Sequence, residues 1–354
     1  MTGRQYIPPP ESSAHPARGS NAVYAAIDLG TNNCRLLVAV PDPDNGFRVI
    51  DSFSRIVRLG EGLSSTGELC APAIERTIDA LGICSDIMKR NGAQHYHAIA
   101  TEACRRAGNG AAFTDRVKSE TGLAMNVISS QQEAELTFAG CSPLLDNDRP
   151  FGVVLDIGGG SSELMWIDQS GDNHPRLSHC HSIPEGVVTL ADQFGASMNN
   201  QQDYENLIAR ILPWLDSFEA ETGIARIMED GNLTMLGTSG TVTTLGALHL
   251  GLRRYERSRV DGMVIDFDSI GALSSKLAMM TCDARASHPC IGPERADLVV
   301  MGCAILEAVC RRWPVGRLRV ADRGIREGLL ISMMAEDSHA GHIVGAAHTA
   351  GATQ

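Results

Sequence analysis

The stretch Val153–Trp166 reads VVLDIGGGSSELMW and has an apolar run on each side of a turn rich in glycine and serine. The first run ends at Asp156 and is typical of a buried strand; the second begins after Glu163 and is typical of its hairpin partner. Three successive glycines allow positive φ angles and let another group approach the backbone closely. Successive N–H groups in such a turn can bind an anion. The stretch therefore predicts an anion-binding hairpin flanked by two carboxylates.

The same pattern occurs earlier, since residues 27–38 read IDLGTNNCRLLV and residues 155–166 read LDIGGGSSELMW. Asp28 corresponds to Asp156 and Gly30 to Gly158, and both pairs are 128 residues apart. A unit that occurs twice predicts two similar domains. Two such hairpins facing each other across a cleft would hold one phosphate chain from both sides.

A third glycine turn reads Gly237-Thr-Ser-Gly-Thr241, after a strand pattern and before a helical one. Ser239 or Thr241 can cap that helix, and the helix N-terminus would then face the turn. N–H groups at a helix N-terminus bind anions. The turn is therefore a third candidate anion site.

Length and composition limit the class of protein. A chain of 354 residues exceeds what one core usually supports, and 43% hydrophobic with 20% charged residues is typical of a soluble globular protein. We find no apolar run that would span a membrane and no signal-peptide pattern at the N-terminus. Ten cysteines without a C-x-x-C pair favour reduced thiols, hence the cytoplasm. A net charge of −12 argues against a general nucleic-acid or membrane binder.

The three turns, in this order, resemble the exopolyphosphatase/guanosine pentaphosphate phosphohydrolase family in its short two-domain form, over about residues 22–335. That family belongs to the superfamily of acetate and sugar kinases, heat-shock ATPases and actin. The resemblance implies an α/β fold with two ribonuclease-H-like domains that flank a cleft. It also implies a homodimer, although no interface is legible in the sequence.

We divide the chain accordingly. Residues 1–21 are rich in Pro, Ser and Gly and are expected to be a disordered leader. Domain I is expected over residues 22–130 and domain II over residues 131–325. The resemblance implies that a last helix, over residues 326–335, returns towards domain I. We expect a loose tail over residues 336–354.

The resemblance assigns a role to Glu133, which matches the catalytic glutamate in the family's Glu-Glu-Ala-Arg motif. Here the motif reads Gln132-Glu-Ala-Glu135, so both of its other charged positions differ. Without the resemblance, an acid in the first turn of a helix is only a favourable dipole partner. Arg105 matches the family's phosphate-contacting arginine. Without the resemblance, it would be interpreted as an arginine on the surface of a helix.

These residues predict a metal-assisted phosphoryl transfer to water. Asp156 and Glu163 would hold Mg²⁺, or Mn²⁺, and position water, and the plain alternative is a solvated acid pair beside a turn. Glu133, with Glu163, would be catalytic by orienting or deprotonating that water. The predicted phosphate-binding residues are Asp28, Gly30, Thr31, Asn32, Asn33, Arg105, Gly158, Gly159, Gly160, Ser161, Ser162, Gly237, Ser239, Gly240 and Thr241.

The expected function is removal of terminal phosphate from inorganic polyphosphate. Hydrolysis of guanosine pentaphosphate would use every one of the same catalytic residues. A kinase or chaperone-type ATPase is a further enzymatic alternative. A non-catalytic polyphosphate- or nucleotide-binding regulator is the alternative of another class, and it would need the glycine turns but not Glu133. We expect neither nucleic acid nor membrane as a partner.

Two other clusters have open interpretations. His174, His179, Cys180 and His181 match no strong zinc pattern, and a surface loop near Pro175 is expected instead. A second cluster could form a distal polyanion track or a solvated basic loop, and it consists of Arg253, Arg254, Arg257 and Arg259.

Overall fold

The computed structural model describes residues 22–146, 148–171, 175–195 and 200–349. The expected leader over residues 1–21 therefore lies outside the described residues, as do residues 350–354 and His174. The described chain contains two mixed β-sheets with helices packed on them, joined through two helices that cross between them.

The first sheet has the strand order β3-β2-β1-β4-β5. Strands β1, β2 and β3 are antiparallel neighbours, while β4 and β5 run parallel to β1. The strands are β1 (Tyr24–Leu29), β2 (Asn33–Asp42), β3 (Gly46–Ile56), β4 (His95–Ala100) and β5 (Asn126–Val127). The helices are α1 (Leu63–Thr66), α2 (Ala71–Arg90), α3 (Glu102–Arg106) and α4 (Gly110–Thr121).

The second sheet has the order β10-β11-β9-β6-β7-β8. Its strands are β6 (Phe151–Ile157), β7 (Ser162–Asp168), β8 (Arg176–Ile183), β9 (Leu233–Thr238), β10 (Val264–Asp266) and β11 (Arg317–Ala321). Around it lie α6 (Val187–Phe194), α7 (Gln201–Thr222), α8 (Ile224–Glu229), α9 (Gly240–His249), α10 (Arg257–Val260), α11 (Phe267–Met279), α12 (Cys282–Ala286) and α13 (Val299–Arg312).

The two sheets repeat one topology. The order β8-β7-β6-β9-β11 matches β3-β2-β1-β4-β5 strand for strand, with the same antiparallel and parallel pairings, and β10 is an addition at the edge. The predicted pair of ribonuclease-H-like domains is therefore confirmed. In each sheet a hairpin, β1–β2 or β6–β7, presents its turn at the same end.

Two helices form the junction, α5 (Ser130–Cys141) and α14 (Ile325–Thr349). Leu329, Leu330 and Met333 of α14 pack with Ala26 and Leu37 of the first sheet, so this helix lies against domain I. A Cβ on Gly140 or Gly328 would overlap the backbone of the facing helix, and glycine is therefore what lets α5 and α14 pack so closely.

The last helix is longer than the sequence predicts. It continues past residue 335 to Thr349, so residues 336–349 are helical instead of a loose tail. The domain boundaries at residues 130 and 325 stay predictions. None of the helices in the described part of the chain combines the length and the apolar character that a membrane span requires.

The segment after Pro175 is also different from the expectation. Residues 176–183 form strand β8, hydrogen-bonded to β7, where a surface loop was expected. His179 and His181 therefore belong to a strand of the second sheet, and the His181 ring lies near those of Trp214 and Phe218 of α7.

Candidate active site

A cavity opens between the two domains, and both hairpin turns line it. The turns have the same closing hydrogen bond: the Gly30 N–H donates to the Asn33 carbonyl (2.9 Å), and the Gly158 N–H donates to the Ser161 carbonyl (2.9 Å). The equivalence that the 128-residue offset predicted thus extends to the geometry of the turn.

The tips of the two hairpins touch. A Cβ on Gly159 would lie 2.9 Å from the Thr31 Cβ, and one on Gly160 would lie 2.7 Å from the Thr31 Oγ1. None of Gly158, Gly159 and Gly160 has a positive φ, so the turn does not use the left-handed backbone that glycine allows. Glycine is needed at Gly159 and Gly160 because the first hairpin leaves no room for a side chain, and at Gly158 because a Cβ would lie 2.6 Å from the Ser161 carbonyl oxygen of its own turn.

Helix α6 begins directly on the second turn. The Val187 and Val188 N–H groups donate to the Gly158 and Gly159 carbonyls, at 3.0 and 2.8 Å. A Cβ on Gly186 would overlap the Gly159 backbone, so this helix start also depends on glycine. The position of the second turn is therefore fixed by the first turn of α6.

The third turn lies at the N-terminus of α9. The Ser239 Oγ accepts hydrogen bonds from the Thr241 and Val242 N–H groups (3.2 and 3.3 Å), and Ser239 has φ 132°. Ser239, Gly240 and Thr241 line the cavity, so the predicted third anion site faces the same space as the two hairpins. A helix N-terminus favours negative charge beside it.

Four carboxylates gather where the domains meet. Asp28 and Asp156 are the last but one residues of the equivalent strands β1 and β6, Glu133 lies in the first turn of α5, and Glu163 is the second residue of β7. Burial raises the pKa of Asp156 to about 6, with a further contribution from Asp28. Burial and then the charge of Asp156 raise the pKa of Glu163 to about 7. Burial and then Glu163 hold the pKa of Glu133 well above its usual range.

Helix α5 is built to present Glu133. The Ser129 Oγ accepts from the Gln132 N–H (3.2 Å), and the Gln132 Oε1 accepts from the Ser129 N–H (3.0 Å), which completes a capping box. Gln132, one of the two residues that differ from the family's Glu-Glu-Ala-Arg motif, therefore stabilises the start of α5. Glu133 is 8% exposed and lines the cavity, while Glu135 is exposed.

The Arg105 guanidinium is bound to two carboxylates and is not available to a ligand in this arrangement. Its Nη1 donates to Glu133 (3.1 Å) and to the Ile128 carbonyl (2.6 Å), and its Nη2 donates to Glu102 (2.6 Å). It does not line the cavity. In this arrangement Arg105 orients Glu133, so its predicted phosphate contact would require these bonds to rearrange.

Glu163 is likewise held behind the cavity wall. Its Oε1 accepts hydrogen bonds from the Ser161 hydroxyl (2.7 Å) and the Ser182 hydroxyl (3.0 Å), and the side chain is 2% exposed. Asp156 lies opposite Glu163 in the hairpin, and its charge contributes to the raised pKa of Glu163. Its position thus favours action through its neighbours over direct contact with a ligand in the cavity.

Two arginines that we did not predict line the cavity. Arg35 lies on β2 and Arg295 lies just before α13. Among the described residues, neither has a carboxylate within ion-pair distance. Burial, followed by the charge of Arg35, lowers the pKa of Arg295, because two cations approach each other there. Two neighbouring guanidinium groups of this kind would favour a polyanion beside them.

Besides Arg105, two predicted phosphate-binding residues lie outside the cavity wall. The Ser162 hydroxyl is buried and donates to the Glu185 carbonyl (2.8 Å). Gly237 is inside β9, where a Cβ would crowd Leu318 and Val242. Neither lines the cavity, so their positions give no direct phosphate contact. The remaining predicted residues of the turns line it, namely Asp28, Gly30, Thr31, Asn32, Asn33, Gly158, Gly159, Gly160, Ser161, Ser239, Gly240 and Thr241.

The site has the chemistry that a divalent cation requires. Asp28 and Asp156 line the cavity, and the Thr137 hydroxyl donates to Asp156 (3.3 Å). Burial raises the pKa of both aspartates, so a cation beside them would be stabilising. Across the described residues, no three His, Cys, Asp or Glu side chains form a ready set of metal ligands. Mg²⁺ needs only one or two carboxylates with water and phosphate, so these residues fit Mg²⁺.

The arginine cluster that follows α9 in the chain is partly used by the fold. Arg257 donates to Glu327 (2.9 Å) and to the Asp322 carbonyl (2.5 Å). Arg253, Arg254 and Arg259 are exposed. Arg257 is therefore a structural residue, and the polyanion track of the other three stays a prediction.

Comparison with known proteins gives consistent matches. The model of the Ppx/GppA phosphatase family matches residues 38–337. Exopolyphosphatase 2 of Mycobacterium tuberculosis is 30% identical over 329 residues, which cover 87% of this chain and 98% of the relative. A guanosine-5'-triphosphate,3'-diphosphate pyrophosphatase of Aeromonas hydrophila is 26% identical over 89% of this chain and 60% of its own length. The crystal structure of the Aquifex aeolicus Ppx/GppA family member is similar with a TM-score of 0.71, at 26% identity, covering 89% of this chain and 98% of that one.

Proposed function

We propose that this chain, which belongs to the Ppx/GppA phosphatase family, removes the terminal phosphate from inorganic polyphosphate. The observation that carries the proposal is the position of Glu133. It lies on the cavity wall where the two hairpins meet, and its pKa is held above the usual range, as a general base requires. The named relative that matches the chain over almost its own full length is an exopolyphosphatase.

In the proposed reaction Glu133 takes a proton from a water that attacks the terminal phosphorus directly. Arg105 fixes the Glu133 carboxylate from behind through the 3.1 Å contact and is itself fixed by Glu102. The phosphoryl group passes to water without a covalent enzyme intermediate. Charge grows on its oxygens during the transfer, so donors already aimed at them lower the barrier.

The phosphate chain would lie between the two turns. The backbone N–H groups of both turns, the α9 N-terminus and the side chains of Arg35 and Arg295 supply positive potential from several sides. Asp156, with Asp28 beside it, would hold Mg²⁺, or Mn²⁺, and that ion would neutralise phosphate charge and polarise the bond to be broken. We place this activity in the cytoplasm.

The second candidate is hydrolysis of guanosine pentaphosphate. It is favoured by one observation, the similarity over 89% of this chain to a relative named for a guanosine pyrophosphatase activity. The same base, turns and arginines would serve it, because both substrates end in a phosphoanhydride. The two candidates therefore differ in what lies beyond the scissile phosphate.

The test is phosphate release from long polyphosphate, short polyphosphate, guanosine pentaphosphate and ATP, each with Mg²⁺ and with a chelator. We expect Mg²⁺-dependent release that is fastest from a polyphosphate. Glu133→Gln should lower kcat by about 10³-fold, because removal of a general base costs roughly 10²–10⁴. Glu135→Gln is the matched control, since Glu135 lies on the same helix and is exposed.

Three outcomes would count against the proposal. Fastest release from guanosine pentaphosphate would favour the second candidate. Equal activity of Glu133→Gln and Glu135→Gln would remove Glu133 from the reaction. Tight polyphosphate binding without release from any substrate would indicate a binding protein.

A further inference from the structure

One loop of domain I, residues 57–62, reaches from the first hairpin to domain II, and we call it the clasp loop. It joins β3 to α1. The Val57 and Arg58 N–H groups donate to the Asn32 carbonyl (2.9 and 3.0 Å), and the Gly60 N–H donates to the Thr31 carbonyl (2.9 Å). A Cβ on Gly60 would overlap the Thr31 methyl group. The clasp loop is therefore fixed to the tip of the first hairpin.

The same loop is bonded to domain II at two points. The Arg58 Nη2 donates to the Asp297 Oδ1 (2.8 Å) and to the Glu294 carbonyl (3.1 Å). The Gly62 N–H donates to the Asp192 Oδ2 (3.2 Å). The Arg58 and Asp297 side chains are 32% and 18% exposed, so their ion pair is only partly screened by water.

Both partner segments carry parts of the cavity wall. Asp192 lies on α6, the helix whose first N–H groups hold the second hairpin. Asp297 follows Arg295, which lines the cavity, by two residues. The clasp loop thus connects the first hairpin to α6, which holds the second hairpin, and to the segment that carries Arg295.

The backbone of Arg58 is strained. Its φ is 47°, a left-handed value that a residue with a long side chain rarely adopts. Among the described residues, only Arg58 and Ser239 combine a side chain with a positive φ, and Ser239 is part of the cavity wall. Strain of this kind persists only where surrounding contacts enforce it. Here the Asn32 carbonyl holds the backbone and Asp297 holds the side chain.

We propose that Arg58 is a positioning residue that, through Asp297, holds the two domains at the separation in which both hairpins reach one phosphate chain. This rests on the proposed function in so far as the ligand is a phosphate chain. Without the clasp, part of the population has an open cleft, and the apparent affinity falls with the closed fraction. KM should therefore change more than kcat, because no clasp residue touches the reacting atoms.

The test compares phosphate release from polyphosphate by Arg58→Ala, Asp297→Ala and the reversed pair Arg58→Asp with Asp297→Arg. Each single variant should raise KM by about five- to tenfold, at the low end of the coupling of about 5- to 150-fold that is usual between sites. The reversed pair should regain most of the loss, since aspartate tolerates a left-handed backbone. The control is Glu61→Ala, which removes an ion pair to Arg76 (2.8 Å) in the same loop but inside domain I. It should leave KM unchanged.

A second readout does not depend on activity. Amide hydrogen exchange of residues 28–33 and 187–192, followed by mass spectrometry, should be faster in Arg58→Ala and Asp297→Ala than in wild type and Glu61→Ala. Asp297→Ala keeps the test open if Arg58→Ala does not fold. Unchanged KM and exchange in both single variants would overturn the clasp, and so would equal acceleration in Glu61→Ala. If wild type releases no phosphate, the proposed function fails, and exchange alone decides the clasp.

Discussion

The two glycine hairpins close with the same hydrogen bond but differ in the residue that lies opposite the aspartate. In the strand register of the first, Asp28 lies opposite Arg35; in that of the second, Asp156 lies opposite Glu163. Residues directly opposite each other in an antiparallel pair carry their side chains on the same face. The first hairpin therefore sets a cation beside its aspartate, and the second sets a further carboxylate there.

We expect this difference to give the two copies of one fold different roles in the proposed reaction. Burial raises the pKa of Asp28, but Arg35 acts in the opposite direction, so the first hairpin is partly neutralised. In the second, burial and Asp156 raise the pKa of Glu163 to about 7. A neutralised turn suits the binding of phosphate oxygens, while a turn with excess negative charge suits a cation and proton transfer. We therefore expect the exchange of arginine for glutamate at this equivalent position to separate phosphate binding from proton and metal chemistry.

Glu163→Gln is the strongest test of the second hairpin. Glutamine keeps an acceptor for the Ser161 and Ser182 hydroxyls but removes the charge, so the fold should survive. We expect kcat to fall about 100-fold with KM within about twofold, because the lost charge acts on proton and metal chemistry. Initial rates at saturating Mg²⁺ measure this, with Glu135→Gln as the control. A rise in KM at unchanged kcat would contradict the assignment.

Arg35→Gln is the corresponding test of the first hairpin. The variant loses a charged donor to phosphate, which is typically worth about 1.5–3 kcal/mol, so KM should rise about tenfold or more. The effect on kcat should be smaller than that of Glu163→Gln. Steady-state kinetics on one polyphosphate length decide this, and Arg35→Lys should recover part of the loss. If Arg35→Gln lowers kcat as much as Glu163→Gln does, the division of tasks fails.

The fold and most of the cavity wall could be predicted from the repeat. The aligned turns predicted both hairpins. The same alignment also identifies Arg35 as the equivalent of Glu163, since it lies 128 residues before it. Arg295 has no comparable signal. It is a single arginine in an irregular segment before α13, and only the tertiary fold brings it to the cavity.

The wrong or missing predictions have local physical causes. Ser162 belongs to a strand, where neighbouring side chains point to opposite faces, so Ser161 and Ser162 could not both face the cavity. Gly237 is a packing glycine within a strand. Strand β8 has histidine and serine between Leu177 and Ile183, and its structure comes from pairing with β7 more than from its own pattern.

The equivalent glycines of the two turns should respond differently to alanine. A Cβ on Gly158 would lie 2.6 Å from the Ser161 carbonyl oxygen, whereas one on Gly30 would lie 3.7 Å from the Asn33 carbonyl oxygen. Gly158→Ala should therefore lower the free energy of unfolding by about 1–3 kcal/mol, as overpacking does. Gly30→Ala should change it by about 0.5 kcal/mol or less. Urea unfolding of the two variants checks this, and equal losses would show that the two turns have the same room.

Removing the charge of Asp156 or Asp28 should have the smallest effect. The comparison separates the cost of burying a carboxylate from its partial neutralisation by Arg35. The pKa of Asp156 is raised to about 6, above that of an unfolded aspartate, so its charge destabilises the fold as pH rises from about 4 through about 6. Asp156→Asn should therefore raise the free energy of unfolding by about 1–2 kcal/mol at pH 8 without divalent metal, and by nothing at pH 4. Asp28→Asn should gain less at pH 8, because it leaves Arg35 beside an uncharged partner. Thermal unfolding at both pH values measures the difference, and equal gains would mean that Arg35 does not neutralise the first hairpin. Added Mg²⁺ should stabilise the wild type at pH 8 and have less effect on Asp156→Asn, since binding to the folded state alone raises its stability.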